Sequence, residues 1–173
     1  MSSLDTSHSN TSYLDAYTAL LKHRHWVVAL SGGLDSTVLL HSVSNFLQSL
    51  RQSESTLESG LTSLDDVTIP SLSAIHINHQ LQSVSDSWEQ HCQSVCDDLS
   101  VPLLIKKVAV NSDGKGLESA ARQARYAVFE SHLNSCVALY SNSNENINDS
   151  HSVLLMGHHA NDQAETLLMR LFR

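Results

Sequence analysis

Short apolar runs alternate along this chain with longer segments in which apolar residues recur every three or four positions. Runs of strand length lie at 26–30, 72–77, 103–110 and 152–156. Segments with helical periodicity lie at 36–50, 86–99 and 117–133, and a last helix is predicted to begin near Asn161 or Asp162. This alternation predicts an α/β fold, in which right-handed crossovers build a parallel sheet with helices on both faces.

The segments outside this alternation are mostly polar. Residues 1–12 are predicted to be disordered, and 14–22 to form a short helix that packs through Leu14, Tyr17 and Leu21. Residues 51–70 and 134–150 are rich in small polar side chains and are predicted to be a surface loop and an insertion. We therefore expect an N-terminal tail with a short helix (1–25) and one domain (26–173), large enough to bury a core. The side chains predicted to face inward from the first two long helices are Leu39, Val43, Phe46, Leu47, Leu50, Trp88, Cys92, Val95, Cys96 and Leu99.

The net charge of the chain does not favour a generic nucleic-acid binder. The formal charge is −8, whereas affinity for nucleic acid comes mainly from cations that neutralise phosphates. Five of the ten Lys and Arg residues nevertheless fall in one stretch: Lys106, Lys107, Lys115, Arg122 and Arg125. We expect a local basic patch there, and the alternative is a solvated face with scattered cations.

The cysteine count and the hydropathy indicate a cytoplasmic protein. Three cysteines and no export signal predict reduced thiols, two of them, Cys92 and Cys96, on the apolar face of a helix. A membrane-spanning helix needs about 18 consecutive apolar residues, and no run in this sequence is nearly as long, so no membrane partner is predicted. The polar segment 1–12 lacks the charged start and apolar centre of a signal peptide.

The six residues after the first strand combine two glycines with hydroxyl and carboxyl groups. They are Ser31, Gly32, Gly33, Leu34, Asp35 and Ser36, called the glycine loop below. Glycines permit a sharp turn and close approach to a ligand, and the N–H groups at the start of the following helix favour an anion. We predict a phosphate-binding loop. It is not a Walker loop, because no Gly-Lys-Ser/Thr follows, and the alternative is an ordinary turn before a helix.

Further polar groups follow other strands and are expected at the same edge of the sheet. Asn78 and His79 follow the second predicted strand, and His158 and His159 follow the fourth. Ligands of open parallel sheets bind at the carboxyl ends of the strands. His158 is a candidate catalytic group because imidazole titrates near neutral pH, although most of the 11 histidines are expected to be structural or exposed. A zinc site made from His158, His159 and Asp162 is weakly supported, because adjacent histidines rarely aim at one ion.

Two arginines and two acids complete the candidate site. Arg122 and Arg125 share a helix face, where their guanidinium groups can hold phosphate groups; the alternative is surface ion pairing. Asp35 and phosphate are both anionic, so we predict that Asp35 holds Mg²⁺, with Asp162 as a second ligand. The alternative for Asp35 is a carboxylate stabilised by the helix dipole.

Four blocks of this sequence, in order and spacing, resemble the N-terminal catalytic domain of the tRNA(Ile)-lysidine synthetases. The glycine loop resembles the SGGxDS signature of PP-loop ATP pyrophosphatases. The other blocks are 74–81 (AIHINHQL), 116–126 (GLESAARQARY) and 157–166 (GHHANDQAET), and the resemblance spans about 26–173. It implies a Rossmann-like fold of the adenine-nucleotide alpha-hydrolase type.

The resemblance also implies an activity. ATP would adenylate the C2 oxygen of the wobble cytidine in an isoleucine tRNA with a CAU anticodon. Free L-lysine would then attack C2 through its amine and expel AMP, which leaves lysidine. The implied site residues are the glycine loop with Asp35, Arg122, Arg125, His158 and Asp162, and a homodimer is compatible with the resemblance.

The chain departs from the family pattern at two positions. Asn161 stands where the family has the first Asp of its His-His-x-Asp-Asp-Gln block, so the charge needed for a metal or base role is lost there. Gln82 stands where the family has an arginine after His79. The chain also ends inside a predicted helix, and we expect a fragment that lacks the family's C-terminal regions.

Two other hypotheses remain open at this point. The chain could belong to another PP-loop enzyme, a tRNA thiolase or an amidotransferase-type ligase. Thiolases of the cytidine type carry Cys-x-x-Cys pairs, which this sequence lacks, and the ligases lack the 122–126 and 158–166 blocks. Alternatively, it is a truncated domain that binds ATP without turnover.

Overall fold

The computed structural model describes residues 7–57, 68–79, 85–109, 117–140 and 152–157. Helices and strands alternate in chain order: α1 Ser7–Leu20, β1 His25–Ala29, α2 Leu34–Leu57, β2 Ser71–Asn78, α3 Ser85–Asp98, β3 Leu103–Lys107, α4 Leu117–Tyr140 and β4 Ser152–Met156. Among the described helices, none is both long and apolar enough to cross a membrane.

The four strands form one parallel sheet in the order β3-β2-β1-β4. In its register, Trp26 of β1 lies beside Leu72 of β2 and Val153 of β4. All pairings are parallel, so the carboxyl ends of the strands meet at one edge. The predicted α/β fold with a parallel sheet is confirmed.

The central strand β1 is apolar on both faces because helices cover both of them. Trp26 and Val28 contact the face where α1, α2 and α3 pack, whereas Val27 contacts Phe129 of α4 on the other face. All three β1 side chains are fully buried. The sheet is therefore a layer between helices, as the uninterrupted apolar strands predict.

Helix α1 packs on this core mainly through the side chain of Tyr17. The ring of Tyr17 packs against Trp26 and Phe46, and its hydroxyl lies 3.1 Å from Oγ of Ser42. Leu14, which was expected to pack inward, is 52% exposed. Only part of the predicted inner face of α1 therefore reaches the core.

Three helices are longer than the apolar pattern predicts. α1 begins at Ser7, inside the segment expected to be disordered, α2 continues to Leu57, and α4 continues to Tyr140. None of these helices contains Gly or Pro, so their sequences hold no residue that would end them earlier. The additional residues of α1 and α2 are mostly polar, whereas those of α4 include Cys136, which is buried. Strand β3 is shorter than predicted and ends at Lys107. Residues 58–67 and 141–150 of the two predicted loops, and the last predicted helix, lie outside the described residues.

Candidate active site

The glycine loop connects the end of β1 to the start of α2, as predicted. Its two serine hydroxyls lie 2.9 Å apart, and the Oγ of Ser36 donates to the carbonyl of Gly33 at 3.0 Å and accepts from the N–H of Ser31 at 3.1 Å. The N–H of Gly33 in turn donates to Oγ of Ser31 at 3.3 Å. Ser36 is buried and Ser31 is exposed. These bonds hold the loop in a tight curve around the first turn of α2.

Gly32 has the one backbone conformation in the loop that requires glycine. Its φ is +87°, and a Cβ there would lie 2.8 Å from Cε3 of Trp88 and 3.2 Å from Sγ of Cys92. Any side chain would therefore meet both steric strain in the backbone and the α3 side chains. The structure gives a physical reason for this glycine, independent of any ligand.

Gly157, just after β4, packs on the other side of the loop. A Cβ on Gly157 would lie 2.9 Å from the backbone carbonyl of Asp35 and the N atom of Ser36. The absence of a side chain lets the end of β4 approach the first turn of α2. Two glycines from different strands thus frame the start of this helix.

Asp35 lies in the exposed first turn of α2. The first N–H groups of a helix have no acceptor within the helix, so this turn is suited to an anion. Carboxylate oxygens are ligands that Mg²⁺ prefers, so the chemistry of Asp35 fits the predicted metal role. Within the described ranges, however, no group of three His, Cys, Asp or Glu side chains is placed to bind a metal.

A cavity of about 350 Å³ opens beside the glycine loop at the carboxyl edge of the sheet. Its lining combines hydroxyls and cationic groups with apolar side chains: Ala29, Leu30, Ser31, Ser36, Ile75, Ile77, His79, Ala121, Arg122, Arg125, Tyr126, Phe129, Met156 and Gly157. This volume lies in the range of small-molecule sites, and such sites are mostly apolar with a few placed polar groups. The cavity therefore fits a ligand with an apolar ring and an anionic group.

Helix α4 brings both predicted arginines to this cavity. Nε of Arg125 is buried and has no hydrogen-bond partner among the described residues. Arg122 is exposed at the rim, and its guanidinium carbon lies 5.6 Å from the centre of the Tyr126 ring. A buried donor without a partner is costly, which makes Arg125 the stronger candidate for ligand contact.

His79 lies at the end of β2 and faces the same cavity. Its Nδ1 is buried and also has no hydrogen-bond partner among the described residues. Burial, with smaller contributions from Arg125 and His76, lowers the pKa of His79. A neutral imidazole is therefore favoured here, which keeps one ring nitrogen free to accept a hydrogen bond.

Asn78 does not join the cavity, although it was expected at the same edge. It is buried, and its side-chain amide donates to Oε1 of Glu89 at 2.6 Å, while Glu89 lies 3.3 Å from Nζ of Lys107. Lys107 thus belongs to an ion pair with α3. Lys106 and Lys107 are exposed, and Lys115 lies outside the described residues.

Comparison with known proteins adds to this geometry. The sequence pattern of a family described as the PP-loop domain matches residues 5–173. The chain belongs to the PP-loop domain family. This is the family that the resemblance of the glycine loop to the PP-loop signature predicted.

Within this family, the chain is similar to several curated proteins of one name. The chain is 44% identical over 149 residues to a tRNA(Ile)-lysidine synthase of Pseudomonas fluorescens and 42% identical over 148 residues to one of Pseudomonas aeruginosa. These matches cover 86% of the chain and 26% of each relative. A relative of the same name from Serratia proteamaculans is 37% identical over 166 residues, which is 95% of the chain and 31% of the relative. The chain thus spans about a quarter to a third of the length of these relatives.

The PP-loop domain brings together part of the predicted site. The glycine loop, Asp35, Arg122 and Arg125 meet at one edge, whereas His158, Asn161 and Asp162 lie outside the described residues. The metal pair of Asp35 with Asp162 therefore stays a prediction.

Sequence reasoning missed the apolar wall of the cavity. Ile75 and Ile77 alternate along β2 and present side chains to α4, where Phe129 is buried. The period-two pattern of β2 was a usable signal. The sequence gives no local signal for the position of Phe129 opposite that strand, because this position depends on how α4 packs across the sheet.

Proposed function

We propose that this chain is the ATP-binding catalytic part of a tRNA(Ile)-lysidine synthase. The observation that carries the proposal is the cavity that joins the glycine loop to the unpartnered Nε of Arg125. The similarity to curated relatives of that name supports the choice of reaction. The lack of Cys-x-x-Cys pairs in the sequence favours it over a thiolase.

ATP is the substrate that fits the site. The loop N–H groups and the hydroxyls of Ser31 and Ser36 would bind its phosphates, with the adenosine against the apolar wall of the cavity. Arg125 would hold a phosphate inside the cavity, and Arg122 would act at its rim, towards ATP or the tRNA backbone. Asp35, with Asp162, would hold Mg²⁺, which supplies positive charge to the phosphates when bound.

The proposed reaction proceeds in two steps. The C2 oxygen of the wobble cytidine attacks the α-phosphorus of ATP, and pyrophosphate leaves. The amine of free lysine then attacks C2, and the C2–O bond breaks as AMP leaves with that oxygen. His158 is proposed to assist proton transfer, because imidazole titrates near the working pH.

The partners follow from this reaction. They are an isoleucine tRNA with a CAU anticodon and free L-lysine, and the proposed location is the cytoplasm. A net charge of −8 means that tRNA must meet local cations such as Arg122, not a generally basic surface. A homodimer is compatible with this proposal.

Two measurements test the proposal. The first is calorimetric binding of α,β-methylene-ATP with Mg²⁺ to the 173-residue chain, and we expect weak binding. The second replaces the matching 149 residues of the Pseudomonas fluorescens relative with this chain. Mass spectrometry of tRNA after incubation of this chimera with ATP and lysine should detect lysidine.

The outcomes separate the competing functions. Lysidine formed by the chimera supports the proposed reaction, and we expect little from the chain alone. AMP formation without lysidine would indicate another PP-loop adenylating enzyme. ATP binding by a well-folded chimera with neither product would indicate a nucleotide-binding domain without turnover.

A further inference from the structure

The start of α3 lies against the glycine loop. The nearest atoms to a Cβ built on Gly32 belong to Trp88 and Cys92, at 2.8 Å and 3.2 Å. These two residues are four positions apart, so they share one face of α3. Trp88 was expected to be a core residue, yet it is 44% exposed. One part of its ring packs on the loop and the rest faces water.

Glu89, the next residue, holds this helix in place. It accepts a hydrogen bond of 2.6 Å from Asn78 at the end of β2 and forms a 3.3 Å ion pair with Lys107 at the end of β3. Both partners belong to the edge of the sheet that carries the cavity. The position of the Trp88 ring is therefore tied to the strand ends.

Cys92 connects the same face of α3 to the residue before the loop. Its Sγ lies 3.4 Å from Nδ1 of His76, and that nitrogen donates to the carbonyl of Leu30 at 2.8 Å. Burial and the nearby Glu89 carboxylate raise the pKa of Cys92 to about 11, so the thiol stays protonated. The loop thus rests on α3 at Gly32 and is held at Leu30.

We propose that Trp88 is a positioning residue for the phosphates of ATP. Its indole ring supports Gly32 in the positive-φ conformation and so keeps the loop N–H groups directed at one point. Glycine loses more conformational freedom on ordering than other residues, and a wall that orders the loop in advance lowers the cost of binding. This inference rests on the proposed ATP site.

Substitutions at Trp88 separate positioning from simple stability. The test measures calorimetric binding of α,β-methylene-ATP with Mg²⁺ to the 173-residue chain, together with thermal unfolding. Trp88→Ala should weaken binding about tenfold or more, because a displaced binding loop loses its alignment. Trp88→Phe keeps an aromatic wall and should bind within about threefold of the unaltered chain. Leu14→Ala is the control, since Leu14 is a similarly exposed apolar residue on α1.

Fluorescence supplies a second readout. The chain has two tryptophans, and the other, Trp26, is fully buried. The ATP analogue should change the emission of the unaltered chain but not that of Trp88→Phe.

The outcomes are distinguishable. Three results would each overturn this inference without affecting the ATP proposal. They are unchanged binding by Trp88→Ala, weak binding by Trp88→Phe, and tryptophan emission of the unaltered chain that does not change when the analogue binds. The inference is likewise wrong if Leu14→Ala weakens binding as much as Trp88→Ala. Absence of binding by the unaltered chain would overturn the ATP proposal and this inference with it.

Discussion

Asp35 is the residue whose proposed role depends most on charge. It is exposed in the first turn of α2, where the helix dipole stabilises a carboxylate by about 0.3–1 kcal/mol, so its removal should leave the fold intact. Asp35→Ala should abolish AMP formation by the chimera and remove any strengthening of analogue binding by Mg²⁺. The control is Asp15→Ala, an exposed acid on α1. Normal AMP formation by Asp35→Ala would contradict the metal role.

The arginine pair makes a second prediction at this scale. Arg122→Gln with Arg125→Gln keeps hydrogen-bonding groups but removes two charges at the cavity. Activity should fall far more than stability, because the exposed charge of Arg122 contributes about 0–1 kcal/mol and the buried Nε of Arg125 makes no hydrogen bond among the described residues. Arg125→Gln alone should cost more activity than Arg122→Gln, because only Arg125 has its unpartnered Nε buried.

The comparison variant for the pair is Arg51→Gln. Arg51 is an exposed arginine on α2, and its guanidinium lies 3.5 Å from the carbonyl of Pro70. The chimera's AMP formation and thermal unfolding are measured for all variants. A lowered melting temperature with normal turnover would instead assign Arg122 and Arg125 to structural interactions.

At the scale of elements, the ion pair and hydrogen bond of Glu89 join α3 to β2 and β3. The hydrogen bond from Asn78, followed by the contact with Lys107, lowers the pKa of Glu89. A carboxyl group whose pKa is lowered by folding stabilises the folded chain at pH values above its ordinary pKa, about 4.3. This stabilisation is lost as the pH falls through the folded-state pKa. We predict that Glu89→Gln reduces the loss of stability below about pH 4.3.

Urea unfolding between about pH 7 and pH 3 measures this effect. Gln can still accept the hydrogen bond from Asn78, so the substitution removes mainly the charge. The matched control is Glu130→Gln, on the exposed face of α4. If Glu89→Gln and the unaltered chain lose stability in parallel over this range, the pair does not stabilise the junction.

The elements also show what the sequence could predict. The apolar runs located all four strands, because a strand buried on both faces has few alternatives. Helix ends were predicted poorly. Residues 51–57 are mostly polar, and a polar segment without Gly or Pro can form either a helix or a loop. The glycine loop and the arginines were found by their local chemistry. The apolar cavity wall and the exposed position of Trp88 depend on packing between distant segments, which no local pattern reports.

At the scale of the whole molecule, three half-buried histidines on different elements share one electrostatic property. Burial is the largest cause that lowers the pKa of His25 on β1, His79 after β2 and His132 on α4. His25 also has its two ring nitrogens 2.6 Å and 3.0 Å from the hydroxyls of Ser71 and Ser73. The fold thus favours the neutral imidazole at opposite ends of the sheet.

This property predicts that the free energy of unfolding falls as pH drops below about 6.5, the ordinary pKa of histidine. In that window the unfolded chain takes up protons that the folded chain resists, so acid favours unfolding until the folded-state pKa values are passed. Urea unfolding at several pH values between about 8 and 5 measures how steeply the free energy of unfolding depends on pH. This range lies above the pH window in which Glu89 titrates. His25→Gln with His132→Gln should flatten it, and the exposed His41→Gln should not. A stability that is constant over this range, or a double variant with an unchanged slope, would show that these histidines are not strained by burial.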